Sequence, residues 1–444
     1  MKTSQINVQD FFNQYKFSSF QWLIFVFTFL IAFFDGYDTA VVGYIAPSLL
    51  GEWGIERKDL APVLSAALFG LAIGAISFGP VADKLGRKIV LIIAVSVFAL
   101  GSVASAYVTS LGGLEILRLI TGIGLGAAMP NAITLLSEYC PENKRSTIVN
   151  TMFCGFPLGA AIGGFVAAWL IPHFGWRSTF LFGGIAPLVL VVLMIFFLPE
   201  SVRYLVSKKR PVESIRKILV KIHPDATKAE SFVMTESKAQ VADKGGISVV
   251  LSKNYVVGSV LLWISYFMGL VIFYGVINWM PVLFREINMT QGTASVVTGL
   301  FAIGGLGAIF SGWLMDRFNA NKLLSFLNLL TAVAVALIGV TVNMSMAVLI
   351  VMVLFAGIVM NTAQSSLPAL ATEFYPTQGR TTGVSWMLGI GRFGGIAGSF
   401  LVAQLVAKGL NVHEIFYVLG IPALVTVVCL VAKQIIYKEK AKGY

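Results

Sequence analysis

The stretch Phe33-Phe34-Asp35-Gly36-Tyr37-Asp38 places two carboxylates inside an apolar run that extends from Trp22 to Tyr44. Asp35 and Asp38 are spaced i,i+3 and therefore share one face of a helix. A carboxylate at membrane depth costs about 2.5–3.5 kcal/mol on insertion scales, so it is kept where it faces a protein interior or a water-filled cavity. The pair is a candidate site for a proton, an ion or a substrate. The alternative is that both aspartates lie near a helix end, where they cap loops or pair with a basic residue.

The composition indicates a polytopic membrane protein. The chain has 444 residues, of which 57% are hydrophobic and 12% are charged, whereas a soluble domain carries about 25% charged residues. The net charge of +11 would suit nucleic-acid binding, but the basic bias of cytoplasmic loops explains it more simply. No nucleic-acid partner is therefore predicted, and the lipid bilayer is the expected environment.

Hydropathy predicts an all-α fold with twelve transmembrane helices, at about 20 apolar residues per span. The predicted spans are 20–45, 60–81, 88–108, 112–137, 147–171, 177–198, 254–281, 292–314, 322–342, 345–371, 381–407 and 412–435. The polar segment between the sixth and seventh spans divides the chain into an N-terminal half (1–198), a cytoplasmic linker (199–252) and a C-terminal half (253–444). Lys and Arg concentrate in the central segment, in alternate loops and in the C-terminal tail, in which Lys433 is included. This asymmetry predicts that both termini are cytoplasmic.

An internal repeat relates the two halves. Gly79-Pro-Val-Ala-Asp83-Lys84 follows the second span, and Gly312-Trp-Leu-Met-Asp316-Arg317 follows the eighth. Glu138-Tyr-Cys-Pro141 with Arg145 follows the fourth span, and Glu373-Phe-Tyr-Pro376 with Arg380 follows the tenth. Two unrelated matches at nearly one offset indicate two parallel six-helix repeats, with a site expected at their interface near the membrane midplane.

The repeated loops are candidates for a cytoplasmic gate whose ion pairs break when that side opens. The alternative is that they only fix the orientation of the chain in the membrane. The second copy is degenerate, because Phe318-Asn319-Ala320-Asn321 replaces Leu-Gly-Arg-Lys, and this predicts an asymmetric gate. The candidate gating residues are Gly79, Asp83, Arg87, Glu138, Arg145, Gly312, Asp316, Arg317, Glu373 and Arg380.

Two arginines fall inside predicted spans. Arg118 opens the glycine-rich fourth span and is either a buried partner for an aspartate or a substrate, or a side chain that snorkels to the outer surface. Arg392 lies deeper, in the eleventh span, where a guanidinium needs a partner; an organic carboxylate offers bidentate geometry. Aromatic and amide side chains near span centres complete the candidate substrate-binding set with both arginines: Tyr274, Asn278, Asn361, Gln364 and Trp386. Pro157 in the fifth span is expected to bend that helix.

The sequence contains no catalytic constellation. No intramembrane histidine pairs with an acid, and there is no glycine-rich phosphate loop ending in Lys-Ser or Lys-Thr. Cys140, Cys154 and Cys429 have neither disulfide nor metal spacing. The chain is therefore not expected to be an enzyme or to hold a metal or another cofactor.

With these residues assembled, the chain resembles the major facilitator superfamily over nearly its full length. The resemblance rests on the loops after the second and eighth spans, on the Arg118 helix with its glycines, and on Leu198-Pro199-Glu200-Ser201-Val202-Arg203-Tyr204. Asp35-Gly36-Tyr37-Asp38 narrows it to the aromatic acid:proton symporters, importers of benzoate or hydroxybenzoates such as 4-hydroxybenzoate and protocatechuate. The resemblance implies that Asp35, Asp38, Gly79, Asp83, Gly312 and Asp316 are needed for transport, with Asp35 or Asp38 carrying the proton that couples it.

The resemblance also implies a monomer in the inner membrane of a bacterium that catabolises aromatic compounds. The expected partners are a small aromatic acid, protons and lipid. Two transport alternatives remain, namely import of another organic acid such as muconate and proton-driven efflux. A sensor of aromatic acids would usually carry a sizeable signalling domain, which is not evident in this sequence.

Overall fold

The structure, a computed structural model, describes residues 5–234, 246–307, 315, 318–375 and 377–442, apart from some side chains inside helices. The fold is helical, as predicted. Eleven helices of the described part are long and apolar enough to cross a membrane. They correspond to every predicted span except the eighth, 292–314, which begins as Gln291–Ile303, continues as the 3₁₀ turn Gly304–Gly307, and then leaves the described residues.

Seventeen α-helices and two short strands are numbered here in chain order over the described residues. The helices that form the spans are α2 (Ser19–Trp53), α3 (Leu60–Leu85), α4 (Arg87–Ser105), α5 (Leu111–Glu138), α6 (Arg145–Phe153) with α7 (Gly155–Phe174), α8 (Arg177–Phe197), α12 (Val256–Glu286), α13 (Gln291–Ile303), α14 (Ala320–Thr341), α15 (Met346–Phe374), α16 (Thr377–Ala407) and α17 (Val412–Lys442). The shorter elements are β1 (Gln5–Asn7), α1 (Val8–Gln14), α9 (Val202–Ser207), α10 (Val212–Leu219), β2 (Ser231–Val233) and α11 (Gly246–Val250).

The first transmembrane helix is longer than the sequence predicted. A reciprocal capping box between Ser18 and Gln21 starts α2, and Gly54, with φ of 61°, ends it. The predicted end at residue 45 was wrong because the helix continues through Pro47. Proline is tolerated inside a transmembrane helix because neighbouring groups satisfy the carbonyl it leaves unpaired. The extension carries α2 out to Trp53 at the end of the bundle.

The fifth span is interrupted where proline predicted a bend. Helix α6 ends at Phe153, Cys154 forms a turn, and α7 begins at Gly155. Pro157 has no N–H to donate to the carbonyl of Phe153 four residues earlier, so the helical hydrogen-bond ladder breaks there.

The spans pack as two groups. In the N-terminal group α2 packs on α7, α3 and α4 pack on α5, and α4 packs on α8. In the C-terminal group α12 packs on α16 and α17, and α14 packs on α15 and α17. The largest contacts between the groups, among the described residues, are those of α7 with α13, α2 with α12, and α3 with α16. A site at the interface is therefore formed mainly by α2 and α7 on one side and by α12, α13 and α16 on the other.

The two termini lie on the same side of the bundle. Strand β1 pairs in parallel with β2 of the central segment, Gln5 opposite Ser231. The Tyr15 ring stacks on His223 at 3.7 Å, and its hydroxyl donates to Asp225 Oδ2 at 2.7 Å. At the other end of the chain the Tyr437 hydroxyl accepts a hydrogen bond from the Gly258 N–H. We call this the termini side and the opposite end of the bundle the far side.

Candidate functional site

Asp38 is held in a buried ion pair. Arg118 Nη1 donates to Asp38 Oδ1 at 3.0 Å, Nη2 donates to Oδ2, and Nη2 also approaches the Asp38 backbone carbonyl at 3.4 Å. Both residues are fully buried, and the guanidinium carbon lies 5.5 Å from the centre of the Phe180 ring. Of the alternatives open from the sequence, Arg118 is therefore the buried partner of an aspartate.

Asp35 lies one turn earlier on α2 and has a different environment. It is 4% exposed, and its Oδ1 is buried without a hydrogen-bond partner. Helix α2 approaches α7 so closely here that a Cβ on Gly36 would lie 1.9 Å from the Phe156 carbonyl oxygen. Only glycine fits at position 36, and this close approach holds the Asp35 segment of α2 against α7 within the N-terminal group.

Arg392 of α16 is the basic residue close enough to interact electrostatically with Asp35 from the C-terminal group. It is partly buried, and it forms no hydrogen bond or ion pair within the part of the chain that the structure describes. Tyr274 of α12 interacts electrostatically with both Asp35 and Arg392. A guanidinium with no bonded partner among the described residues and a carboxylate with a free oxygen thus lie within electrostatic range of each other and of a phenol.

Glycines of α16 make room for the tyrosine rings on either side of Arg392. A Cβ on Gly391 would lie 2.2 Å from the Tyr266 ring, and one on Gly395 would lie 2.6 Å from the Tyr274 ring. The sequence indicated a glycine-rich helix here, but not that its glycines seat these rings.

The predicted amide side chains are bonded within the C-terminal group. Asn278 Nδ2 donates to Ser399 Oγ at 3.0 Å, and Gln364 Nε2 donates to the Tyr266 carbonyl at 3.2 Å. Asn361 Nδ2 donates to the carbonyls of Phe301 and Gly357 at 3.1 and 2.8 Å. In this conformation the three amides therefore tie α12, α13, α15 and α16 together.

An aromatic cluster adjoins the charged residues. The Phe273 ring lies 5.2 Å from Tyr274, 6.4 Å from Phe301 and 6.2 Å from Phe156 of the N-terminal group. Trp386, the remaining predicted substrate residue, packs on Trp263 at 5.8 Å. Sequence reasoning missed Phe156 and Phe301; the signal for Phe156 is its position immediately before Pro157 in a glycine-rich stretch.

Two surface cavities lie elsewhere. One of about 580 Å³ is formed on the far side by the end of α7 and the start of α13, including Ile171 and Gln291. The other, of about 330 Å³, is an apolar groove between α12 and α16. Neither cavity is lined by Asp35 or Arg392.

The described gating candidates bond within the N-terminal group. Glu200 Oε1 accepts from the Arg87 and Lys88 backbone N–H groups at 2.9 and 3.2 Å, capping α4. Glu138 accepts from the Ser201 hydroxyl and lies 3.7 Å from Arg87 Nε. Arg145 donates to the Ser137 carbonyl at 3.1 Å and to Gln9 at 2.9 Å. The other candidates fall outside the described residues or side chains: Gly79, Asp83, Gly312, Asp316, Arg317, Glu373 and Arg380.

One buried charge was missed by the sequence analysis. Lys433, which was assigned to the cytoplasmic tail, is 4% exposed. Its Nζ donates to Asn321 Oδ1 at 3.0 Å and lies 4.8 Å from the centre of the Phe374 ring. A lysine in the last apolar turns of a span was the available signal. The ammonium contacts the degenerate loop that lacks the basic residues of its N-terminal counterpart.

Within the described part of the chain no group of three or more His, Cys, Asp or Glu side chains is placed to hold a metal ion. The described groups at the interface are a carboxylate, a guanidinium and aromatic rings.

Comparison with known proteins places the chain in a family. The Major Facilitator Superfamily domain matches residues 28–306 and again 262–442. The chain therefore belongs to the major facilitator superfamily and is a membrane transporter, not an enzyme.

Several of its curated relatives are named as transporters of aromatic acids. The chain is 47% identical to the 4-hydroxybenzoate transporter PcaK of Acinetobacter baylyi over 98% of its own length and 95% of the relative. It is 44% identical to the gallate transporter of Pseudomonas putida over 96% and 95% of the two chains. Among solved structures, the xylose transporter XylE from E. coli shares the fold with a TM-score of 0.73 at 21% identity, over 93% of this chain and 97% of that one.

Proposed function

We propose that this protein imports an aromatic carboxylate together with a proton, by alternating access, across the inner membrane of a bacterium. The observation that carries the proposal is that Asp35, with a free carboxylate oxygen, lies within electrostatic range of Arg392, which has no bonded partner among the described residues. The relatives that are named for 4-hydroxybenzoate, gallate and benzoate support the substrate class.

Arg392 is the proposed anchor for the substrate carboxylate. A guanidinium binds a carboxylate through two parallel hydrogen bonds. Arg392 has no bonded partner among the described residues, whereas both terminal nitrogens of Arg118 engage Asp38. The aromatic ring of the substrate then contacts the neighbouring rings of Tyr274 and Phe273, which offer offset-stacked or edge-to-face packing.

Asp35 is the proposed proton carrier. Without substrate, Arg392 is a counter-charge for Asp35. When a substrate carboxylate occupies Arg392, Asp35 loses that counter-charge and gains a negative neighbour, and both changes favour its protonated form. The loaded site then holds one cation, one anion and one neutral acid, so it can close without burying an unpaired charge. Asp38 is bonded to Arg118, and we assign that pair to holding α2 against α5.

The remaining features follow from the same proposal. The termini side, where Lys and Arg concentrate, is cytoplasmic. The coupling ion is the proton, and no cofactor is invoked. The transporting unit is the monomer, since one chain supplies both faces of the interface.

The test is uptake into liposomes of labelled 4-hydroxybenzoate, gallate, benzoate and muconate, with and without an inward proton gradient. The variants are wild type, Arg392→Gln and, as a matched control, Arg177→Gln, which removes an arginine from the far surface. We expect gradient-driven accumulation of at least one aromatic acid, strongly reduced in Arg392→Gln and retained in Arg177→Gln. Accumulation of muconate alone would favour import of another organic acid. Outward movement of the aromatic acids, driven by inward proton flow, would favour efflux.

A further inference from the structure

On the far side, one side chain forms two hydrogen bonds between the N-terminal and the C-terminal group. Gln291, the first residue of α13, donates from Nε2 to the Tyr44 carbonyl of α2 at 2.9 Å. Its Oε1 accepts from the Ser48 hydroxyl, also of α2, at 2.9 Å. One amide thus joins the two groups at both of its ends, without using a charge.

An ion pair crosses the interface farther out. Arg57, in the turn before α3, lies 2.6 Å from Glu286 at the end of α12. Their side chains are 46% and 20% exposed. An exposed pair of this kind is weak and is screened by salt, so it opens readily.

Close backbone contacts between the two groups lie near these bonds and close the far side of the bundle. A Cβ on Gly43 would lie 2.7 Å from the Ile277 carbonyl oxygen, and one on Gly164 would lie 2.5 Å from that of Ser295. Helix α2 therefore meets α12, and α7 meets α13, without an intervening side chain. A path from the far side to Asp35 requires these contacts to part.

The termini side differs. The bonds of Glu138, Arg145 and Glu200 described above all stay within the N-terminal group. Unlike Gln291 and Arg57 at the far side, these three residues form no bond to the C-terminal group among the described contacts. The described conformation is thus one in which the groups are fastened together at the far side.

We propose that Gln291 and the Arg57–Glu286 pair form the outer gate of the transport cycle, with Gln291 as the inner bolt and the ion pair as the outer latch. The inference rests on the proposed alternating access, because a gate is needed only if the far ends of the groups separate. Gln291 also lines the 580 Å³ cavity on the far side.

The chain offers a matched control for the latch. Arg177 lies 2.6 Å from Glu52 on the same side of the membrane, with side-chain exposures of 36% and 43%. Both residues belong to the N-terminal group, α8 and α2, so this pair has the chemistry and position of the latch without crossing the interface.

The first experiment bridges each pair covalently. In a Cys154→Ser background, one variant carries Arg57→Cys and Glu286→Cys, and a second carries Glu52→Cys and Arg177→Cys. Both are treated from outside with a short, impermeant bifunctional thiosulfonate; the other two native cysteines, Cys140 and Cys429, are buried. Uptake is measured before treatment, after it and after reduction. We expect loss of uptake in the first variant, recovered on reduction, and unchanged uptake in the second. Undiminished uptake with the Arg57 and Glu286 positions bridged would overturn the latch. Absence of uptake before treatment in wild type as well would count against the proposed function instead.

The second experiment does not depend on transport. Ser295→Cys places a thiol at a fully buried position on α13 where α7 packs. Its labelling rate from outside is compared in the Gln291→Leu background and in the control background Gln404→Leu, an exposed glutamine of α16. We expect faster labelling with Gln291→Leu only. An unchanged rate, or an equal rise in both backgrounds, would overturn the bolt.

Discussion

Arg118 donates hydrogen bonds to both carboxylate oxygens of Asp38, whereas Asp35, three residues earlier on the same helix, has an oxygen without a hydrogen-bond partner. Two aspartates of one sequence motif therefore have separate roles in the proposed mechanism. One is neutralised inside the N-terminal group, and the other faces the C-terminal group. The first three predictions test this division.

Breaking the buried pair should destabilise the protein. Arg118→Ala leaves Asp38 as an uncompensated buried charge, and such losses are about 3–5 kcal/mol. We expect a much lower unfolding temperature in detergent. Arg177→Ala, which breaks an exposed pair, should cost only about 0–1 kcal/mol. Equal stabilities for the two variants would contradict the structural role of the Arg118–Asp38 pair.

Asp35→Asn should uncouple transport without unfolding the protein. An amide resembles the protonated carboxyl, so the site can still load and close. We therefore expect loss of proton-driven accumulation, while exchange of labelled for unlabelled substrate persists. Asp10→Asn, which alters an exposed carboxylate outside the spans, is the matched control and should keep both activities. Retained accumulation in Asp35→Asn would move the coupling to another group.

Uptake of a monocarboxylate should be electroneutral. Only one of the two α2 aspartates has a free oxygen, so one proton is expected to accompany each anion. A membrane potential of 100 mV acts on a net charge with about 2.3 kcal/mol, and this term should be absent. We expect a potassium–valinomycin potential to leave the initial rate unchanged while a pH gradient drives it. A voltage-dependent rate would indicate a different stoichiometry.

Gly36 should be the least replaceable glycine of α2. In Gly36→Ala the new methyl group meets the Phe156 backbone, which cannot move aside like a flexible side chain. We expect α2 and α7 to be forced apart, with loss of stability and of uptake. Gly51→Ala on the same helix meets nothing within 4 Å and should stabilise the helix by about 0.5–1 kcal/mol. Thermal unfolding of the two variants provides the comparison.

The docked N-terminal segment should respond to pH at both extremes. The hydrogen bond from Tyr15 to Asp225 raises the pKa of Tyr15, so its contribution is present below the usual tyrosine range and is lost as alkaline pH deprotonates it. Lys228, and then Tyr15, lower the pKa of Asp225, so its contribution is present above the usual aspartate range and is lost only in stronger acid. Hydrogen exchange of residues 5–15 should therefore be slow near neutral pH and faster in Tyr15→Phe. Equal protection in wild type and Tyr15→Phe would contradict the contribution of this bond.

The sequence was sufficient for the spans because apolar runs of membrane length have few alternatives. It also singled out Asp35, because the cost of a carboxylate at that depth is large. Helical spacing puts Asp35 and Asp38 on one face, but it does not say which helix lies opposite. The choice of Arg118 for Asp38, and of Arg392 for Asp35, depends on packing between segments far apart in the chain.

Short or single features were harder to predict. Strand β1 has three residues, and its partner lies more than two hundred residues away, so no local pattern marks it. Lys433 was taken as a topogenic charge because it lies near the C-terminus, yet tertiary packing buries it against Asn321. Gln291 and Arg57 lie at loop ends, and their partners lie on the other group. Their contacts could therefore not be predicted before the packing of the two groups was known.

The pairing of β1 with β2 has a mechanical consequence. It fastens the central segment to the N-terminal group as far as Val233, and α11, from Gly246, already packs on α16 of the C-terminal group. Loss of the first seven residues would remove this attachment at Ser231–Val233 without changing a single span. The central segment would then be held to the N-terminal segment by the Tyr15 contacts with His223 and Asp225.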